Sequence, residues 1–281
     1  MFDPVAAAST AMAGLRTRTG TLEGGFNFVR MGDGPRTLVV LPGFGDAMFP
    51  GRYPPGTGMV LAPYFHRYLE EYTVYLLSRP RGLPEGYAIE EGAADHAGAL
   101  RSLAPVDVLG ISMGGLIAQQ LGARHPSVVD RLVVACSAHR LADEGREPAR
   151  RMLEYARRRD WASIRSELAR GMFADLRSVT YPPIVQTVGR FVLPRPADPD
   201  DVRISLEAIL AYEGRDDLAA IGQPTLVIGG DRDPYFTAPL QRETAEGIPD
   251  SSLSLIPGAK HGAFHERKFT FDRRTTAFLE G

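Results

Sequence analysis

A serine between two glycines, at the junction of an apolar segment and a helical one, constrains the fold of this chain most. The segment is Gly110-Ile111-Ser112-Met113-Gly114, preceded by a short β-prone run and followed by a helical pattern. Glycine is needed at both ends because a Cβ there would collide with the adjoining strand or helix. Such a strand-to-helix turn exposes the serine hydroxyl at the end of a sheet. We therefore predict that Ser112 is a nucleophile.

Two later strand-like segments end in the polar residues that a nucleophilic serine needs. One apolar run is followed by Asp231 and Asp233, and a second run leads into His261. In an open parallel sheet, functional groups lie just beyond the carboxyl ends of the strands. We therefore expect a carboxylate and His261 to lie close to Ser112, as an acid and a general base.

In the order nucleophile, acid and base, the chain resembles the α/β-hydrolase family. The resemblance implies that His261 is the base that activates Ser112. The family's acid lies in a Gly-x-x-Asp-Pro segment, which matches residues 230–234 and selects Asp233, with Asp231 as a neighbour in the turn. The alternative, in which both aspartates are surface turn residues, stays open.

The resemblance also implies an oxyanion hole made of backbone amides. The loop 42–45 follows an apolar strand and is similar to the family's His-Gly-x-Gly segment, with Pro42 in the histidine position. The amides of Phe44 and Met113 would hold the oxyanion, since two fixed N–H groups stabilise developing negative charge. Pro42 removes a histidine that braces this loop, although the donor itself is a backbone amide.

Alternation of strand-like and helical segments predicts an α/β fold: a mostly parallel central sheet with helices on both faces. We expect two short strands within 14–30 to form an antiparallel pair that opens the sheet. Residues 140–215 have helical periodicity only, and the resemblance implies an inserted helical cap there. Residues 1–139 and 216–281 would then form the hydrolase core domain.

We expect the substrate pocket to be apolar. Its wall should be formed by the oxyanion loop, the helix that follows Ser112 and the cap. The predicted substrate-binding residues are Phe44, Leu116, Trp161 and Phe173. Further apolar cap residues are candidates for the same wall. They are Met152, Tyr155, Met172 and Phe191. The alternative is that each of these cap residues packs in the hydrophobic core of the cap.

Composition agrees with one α/β domain that carries an insertion. The 281 residues are enough to bury a sizeable core, and a net charge of −2 argues against a nucleic-acid surface. The single cysteine, Cys136, lies in an apolar strand and is expected to be a buried thiol. The alanine-rich stretch 5–14 lacks the basic residues of a signal peptide and is interpreted as a short helix or a frayed tail.

No metal or cofactor is expected. His265 follows His261 at a spacing found in some zinc sites, but Gly262 intervenes and no Glu or Cys partner is near. The chain shows no phosphate loop and no dinucleotide glycine pattern. Among the other histidines, we expect His96 to be solvated and His139 to approach the pocket.

The sequence thus predicts a serine hydrolase that cleaves carboxylic esters of short to medium acyl chains through an acyl-enzyme. Other acyl chemistry on the same triad stays open: C–C bond hydrolysis, acyl transfer, thioester hydrolysis or cofactor-free perhydrolysis. A non-catalytic ligand-binding member of the fold is a further alternative. No apolar run is long enough to span a bilayer. We expect a cytoplasmic protein with a small-molecule acyl substrate and no nucleic-acid or membrane partner, and the sequence leaves room for a homodimer.

Overall fold

An eight-stranded sheet lies at the centre of the computed structural model, which describes residues 16–281. The helix or tail predicted for residues 5–14 lies outside the described residues. The strands are β1 Thr17–Thr21, β2 Asn27–Met31, β3 Arg36–Leu41, β4 Tyr72–Ser78, β5 Val106–Ile111, β6 Val129–Ala135, β7 Thr225–Gly230 and β8 Ser251–Ile256. Their order across the sheet is β1-β2-β4-β3-β5-β6-β7-β8.

Most neighbouring strands run parallel. Strand β2 pairs antiparallel with both β1 and β4, and the remaining neighbours pair parallel. The first two strands are the antiparallel pair predicted for residues 14–30. Parallel order puts the carboxyl ends of β3 and β5 to β8 at one edge, where the polar residues of the predicted site follow them.

Eleven α-helices are formed by the described residues. They are α1 Thr57–Phe65, α2 Ile89–Leu100, α3 Met113–Arg124, α4 Asp143–Arg157, α5 Trp161–Met172, α6 Arg177–Ile184, α7 Arg190–Val192, α8 Pro199–Ala211, α9 Ala238–Gly247, α10 Ala263–Glu266 and α11 Lys268–Glu280. A π-helical turn, Val185–Gly189, joins α6 to α7, and a 3-10 turn, Phe44–Met48, follows β3.

Helices cover both faces of the sheet, which explains why its central strands are apolar throughout. Along β3, alternate residues belong to two different hydrophobic clusters: Val39 and Leu41 pack with α2, α3 and α9, whereas Leu38 and Val40 pack with α1 and α11. Side chains of a strand point alternately to opposite faces. The α/β prediction, with helices on both faces, is therefore confirmed.

Helices α4 to α8 form an insertion between β6 and β7. The described chain has no strand within this stretch, in agreement with the helical periodicity predicted for residues 140–215. The end of α5 is bonded to the loop after β8: the amide of His261 donates to Gly171 O at 3.3 Å, and that of Gly262 to Met172 O at 2.8 Å. The insertion therefore contacts the edge of the sheet where the predicted site lies.

Cys136 marks a difference between the predicted and observed strands. The sequence predicts a strand that contains Cys136, but β6 ends at Ala135. Cys136 adopts a φ of 46°, which turns the chain out of the sheet. Its thiol is buried, as predicted, and burial raises its pKa. None of the helices formed by residues 16–281 combines the length and the apolar character that crossing a bilayer requires.

Candidate active site

The turn at Ser112 has the strained geometry that its glycine neighbours predict. Ser112 has φ 56° and ψ −119°, a conformation that residues with a Cβ rarely adopt. A Cβ on Gly110 would lie 2.3 Å from Gly114 O, and one on Gly114 would lie 2.1 Å from Leu41 O. Neither glycine can be replaced without moving backbone, so the sequence forces Ser112 onto this corner.

Three side chains from three strand ends meet at this corner. Ser112 Oγ lies 2.9 Å from His261 Nε2, and His261 Nδ1 lies 2.8 Å from Asp233 Oδ2. The other carboxylate oxygen, Asp233 Oδ1, accepts from the amides of Tyr235 at 2.8 Å and Phe236 at 3.1 Å. The Asp233 side chain is fully buried. Its orientation is fixed by these bonds, so it holds the imidazole of His261 toward Ser112.

The structure separates the two candidate aspartates. Asp231 lies at the surface, and its Oδ1 accepts from the amide of Gly258 at 2.7 Å. It therefore joins the turn after β7 to the turn after β8. Asp233, two residues later, contacts His261. The partner of the Asp231 carboxylate is thus a backbone amide of the neighbouring loop.

Two backbone amides near Ser112 donate to no acceptor in the part of the chain that the structure describes. Phe44 begins a 3-10 turn and Met113 begins α3, so neither N–H has an acceptor within its own helical turn. A Cβ on Gly43 would lie 3.6 Å from Ser112 Oγ, which places the loop after β3 against the Ser112 side chain. This arrangement has the donors that an oxyanion requires.

A buried carboxylate, Asp46, braces the loop in which proline replaces histidine. Asp46 Oδ1 accepts from Ser78 Oγ at 2.7 Å, and Oδ2 accepts from the amide of Arg79 at 3.1 Å and from Arg81 Nη1 at 3.2 Å. The guanidinium of Arg79 is buried, with Nε 3.6 Å from Asp46 Oδ2 and Nη1 2.5 Å from Met113 Sδ. Burial lowers the pKa of Arg79, and Asp46 opposes that shift.

This cluster links the two amide-bearing elements, the loop with Phe44 and the start of α3. The site residues predicted from the sequence do not include it. The available signal was a pair of arginines, Arg79 and Arg81, just past the carboxyl end of β4. Charged residues there either face solvent or enter the site, and only the position of Asp46 in the neighbouring loop decides between these outcomes.

We expect Asp46→Ala to lower the free energy of unfolding by about 3–5 kcal/mol, because it leaves the Arg79 guanidinium buried without its carboxylate. Urea denaturation measures the loss. Asp33→Ala is the matched control, since it breaks a partly exposed pair with Arg30 and should cost no more than about 1 kcal/mol. Equal losses for the two variants would contradict the bracing role of Asp46.

Two cavities adjoin Ser112, and both walls are almost entirely apolar. The larger has a volume of about 480 Å³. Its wall includes Val40, Leu61, Tyr64, Phe65, Leu76, Met172 and Phe264. The smaller has a volume of about 30 Å³. Its wall includes Leu141, Ala149, Met152, Leu206, Ile209, Tyr235 and Phe236. Phe44, Leu168, Ser112 and His261 line both cavities, so the contact between Ser112 and His261 lies where the two cavities meet.

Of the four predicted substrate-binding residues, Phe44 lines the cavities and the other three do not. Leu116 is fully buried in the core, because α3 leads away from Ser112 beneath the sheet. Trp161 starts α5 and lines a separate surface groove. Phe173 packs edge-on against Tyr181, 5.4 Å between ring centroids. Among the other cap candidates, Met152 and Met172 do reach the cavities.

The predictions for His96 and His139 are wrong. His96 is fully buried, with Nδ1 2.6 Å from Gly92 O, and burial lowers its pKa to about 4. His139 is also buried, but it bonds to Thr244 at 3.1 Å and lines neither cavity. His265 lies on the rim of the larger cavity, where partial burial lowers its pKa.

A strained serine at a strand-to-helix turn, with a histidine and an aspartate from later strand ends, defines the class of α/β hydrolases. The chain belongs to the alpha/beta hydrolase family, whose model matches residues 38–272. It is 30% identical over 199 residues to the pimeloyl-[acyl-carrier protein] methyl ester esterase of Neisseria meningitidis. That match covers 68% of this chain and 62% of the relative, less than two thirds of the relative's length.

A second relative and a solved structure show similar likeness to this chain. A pimeloyl-[acyl-carrier protein] methyl ester esterase of Chromobacterium violaceum is 29% identical over 181 residues, covering 63% of this chain and 70% of the relative. Among solved structures, the enol-lactonase of Burkholderia xenovorans LB400 has a TM-score of 0.75 at 22% identity. It covers 94% of this chain and 100% of that chain. At this identity the structural likeness shows the shared fold.

Proposed function

We propose that this chain is a serine hydrolase that cleaves carboxylic esters through an acyl-enzyme on Ser112. The observation that carries the proposal is the continuous line of contacts from Ser112 to His261 to Asp233, located where two apolar cavities meet. Apolar walls suit an uncharged ester, and the relatives' names describe esterases of methyl esters.

The proposed mechanism uses only groups of this chain. His261, oriented by Asp233, takes the proton of Ser112 as Oγ attacks the ester carbonyl carbon. The amides of Phe44 and Met113 stabilise the oxyanion of the tetrahedral intermediate. His261 then protonates the departing alkoxide, and an acyl-enzyme remains. Water, deprotonated by His261, attacks this acyl-enzyme and releases the carboxylic acid with Ser112 restored.

The unequal cavities indicate an ester whose acyl chain and alcohol group differ in size. These two groups are called its arms below. We assign the acyl chain to the larger cavity, which has room for short to medium chains. The smaller cavity, at about 30 Å³, exceeds the roughly 10–15 Å³ that one water molecule needs, so it has room for a small group such as methyl. The methyl esters named for the relatives support this assignment. Each methylene buried in the larger cavity should contribute about 0.8 kcal/mol to binding.

We further propose that residues 140–215 act as a cap over the site, with residues 1–139 and 216–281 as the core domain. Leu168 of α5 lines both cavities, and the end of α5 is bonded to the backbone at His261. A covered cavity of this kind favours single ester molecules over a lipid aggregate. The expected partner is therefore a small-molecule acyl substrate.

A series of methyl esters of increasing acyl length, kept below their micellar concentrations, tests this function. We expect kcat/KM to rise with acyl length, to reach a maximum at medium chains and to fall on long ones, because the cavity is finite. Methyl octanoate should be preferred over octyl acetate. A steady rise through the longest chains would contradict a closed acyl cavity, and preference for octyl acetate would reverse the two arms.

The same measurement on two methionine variants locates the arms. Met152 lines only the smaller cavity and Met172 only the larger. Met152→Ala should raise the ratio of kcat/KM for butyl over methyl octanoate by about tenfold, since a few methylenes in an apolar pocket discriminate to that extent. Met172→Ala is the matched control: it should leave that ratio unchanged and extend the acyl chains accepted.

A further inference from the structure

The helical segment from α6 to α7 presents a large apolar surface to solvent. Phe191 is 83% exposed and Val192 is 70% exposed. Further exposed apolar residues lie along the same segment. They are Leu176, Val179, Tyr181, Ile184 and Val188. Single exposed apolar residues are ordinary on a protein surface, but a group of this size on one element marks an interaction site.

The same segment is positively charged. Residues 176–197 include three arginines and neither Asp nor Glu. Arg177 is paired with Asp175 at 2.8 Å. Arg190 and Arg195 form no ion pair with any carboxylate among residues 16–281. The exposed apolar face therefore carries two uncompensated positive charges close to Phe191.

A surface groove of about 460 Å³ adjoins this face and collects further positive charge. It is lined by four arginines, Arg159, Arg165, Arg190 and Arg195, together with Trp161 and Phe191. Its one carboxylate, Asp160, already caps α5 by accepting from the Ser163 amide at 3.1 Å and from Ser163 Oγ at 2.6 Å. Guanidinium groups bind phosphate oxygens through paired N–H donors. The groove thus has the chemistry of a phosphate site.

We propose that this surface docks on an anionic phospholipid bilayer, with the apolar face of 176–193 among the acyl chains and the arginine groove on the phosphate headgroups. An apolar helix face flanked by arginines is the pattern of interfacial membrane binding. A symmetric contact between two copies of this chain fits less well, because a two-fold interface would bring the same arginines together without intervening acids. The contact is peripheral and needs no spanning segment, and it departs from the expectation of no membrane partner.

The surface is connected to the rim of the larger cavity. Tyr181 packs on Phe173, and Phe173 packs on His265 with 6.0 Å between ring centroids. His265 lies on the cavity rim. Docking would therefore place that rim near the bilayer surface. Binding of this surface to a bilayer does not depend on the proposed catalysis.

Sedimentation with vesicles tests the proposal. We expect the full chain to bind vesicles of phosphatidylcholine mixed with phosphatidylglycerol at least about tenfold more tightly than phosphatidylcholine alone, and to be released by salt. Arg190→Glu combined with Arg195→Glu should weaken binding to the anionic vesicles by about tenfold or more. Phe191→Ser combined with Val192→Ser should weaken binding to both kinds of vesicle.

Matched controls change other exposed residues, away from this surface. Arg101→Glu combined with Arg242→Glu alters net charge by the same amount, and Phe269→Ser removes another exposed aromatic ring. These variants should bind vesicles like the wild type, and all the variants should hydrolyse methyl octanoate in solution at the wild-type rate.

Three outcomes would overturn the proposal. The first is equal binding to both kinds of vesicle. The second is an equal loss of binding in the control variants. The third is absence of vesicle binding, whether or not Phe191→Ser abolishes self-association or a purified acidic carrier protein binds saturably.

Discussion

Ser112→Ala is expected to lower kcat for ester hydrolysis to less than about 1% of the wild-type value, because loss of a triad nucleophile costs several orders of magnitude. The fold should be unaffected. The side-chain contact of Ser112 is with His261, and the strain of the turn belongs to the backbone. Initial rates with methyl octanoate measure the first expectation. Circular dichroism and thermal unfolding measure the second.

Ser137→Ala is the control for this experiment. Ser137 is a fully buried serine that lines neither cavity, so its loss should leave kcat near the wild-type value. A serine-directed phosphonate should add once to the wild type and to Ser137→Ala, but not to Ser112→Ala. Residual activity of Ser112→Ala above about 1%, or phosphonate addition to that variant, would sink the assignment of the nucleophile.

The second large effect is expected for Asp233→Asn, which should lower kcat by about three to four orders of magnitude. Asp233 Oδ2 accepts from His261 Nδ1 at 2.8 Å and thereby selects the tautomer in which Nε2 faces Ser112. An asparagine amide donates to Nδ1 instead and favours the wrong tautomer. Fixed-time assays with methyl octanoate as the substrate measure the loss, and Ser112→Ala gives the baseline rate.

Asp231→Asn is the matched control, because it makes the same chemical change two residues away. An asparagine oxygen can still accept from the Gly258 amide, so activity should remain close to that of the wild type. A larger loss for Asp231→Asn than for Asp233→Asn would mean that the acid is Asp231. Equal and small losses would mean that neither carboxylate orients His261.

The strand and helix pattern could be predicted from the sequence because it depends on local periodicity. Gly110 is the clearest case, since the collision that excludes a Cβ there is with Gly114 O, within the same turn. Strand ends were less certain: β6 stops at Ala135, where the left-handed backbone of Cys136 overrides an apolar sequence that would extend the strand.

The substrate wall was predicted poorly because it depends on the direction of side chains on packed helices. Leu116 and His96 both face the core, although one was expected in the pocket and the other in solvent. Helical periodicity identifies an apolar face, but it does not say which neighbour covers that face. Met152 and Met172 reach the two cavities only because α4 and α5 lie across the edge of the sheet.

By itself, the sequence determined the fold class, the strained corner at Ser112 and the order of the polar strand ends. These features follow from backbone sterics and short-range periodicity, which act within a few residues. The tertiary structure alone decided that Asp233 contacts His261 and that Asp46 braces Arg79. It also decided that the cavity on one side of Ser112 is far larger than that on the other. Each of these depends on the distance between atoms far apart in the chain, which only packing determines.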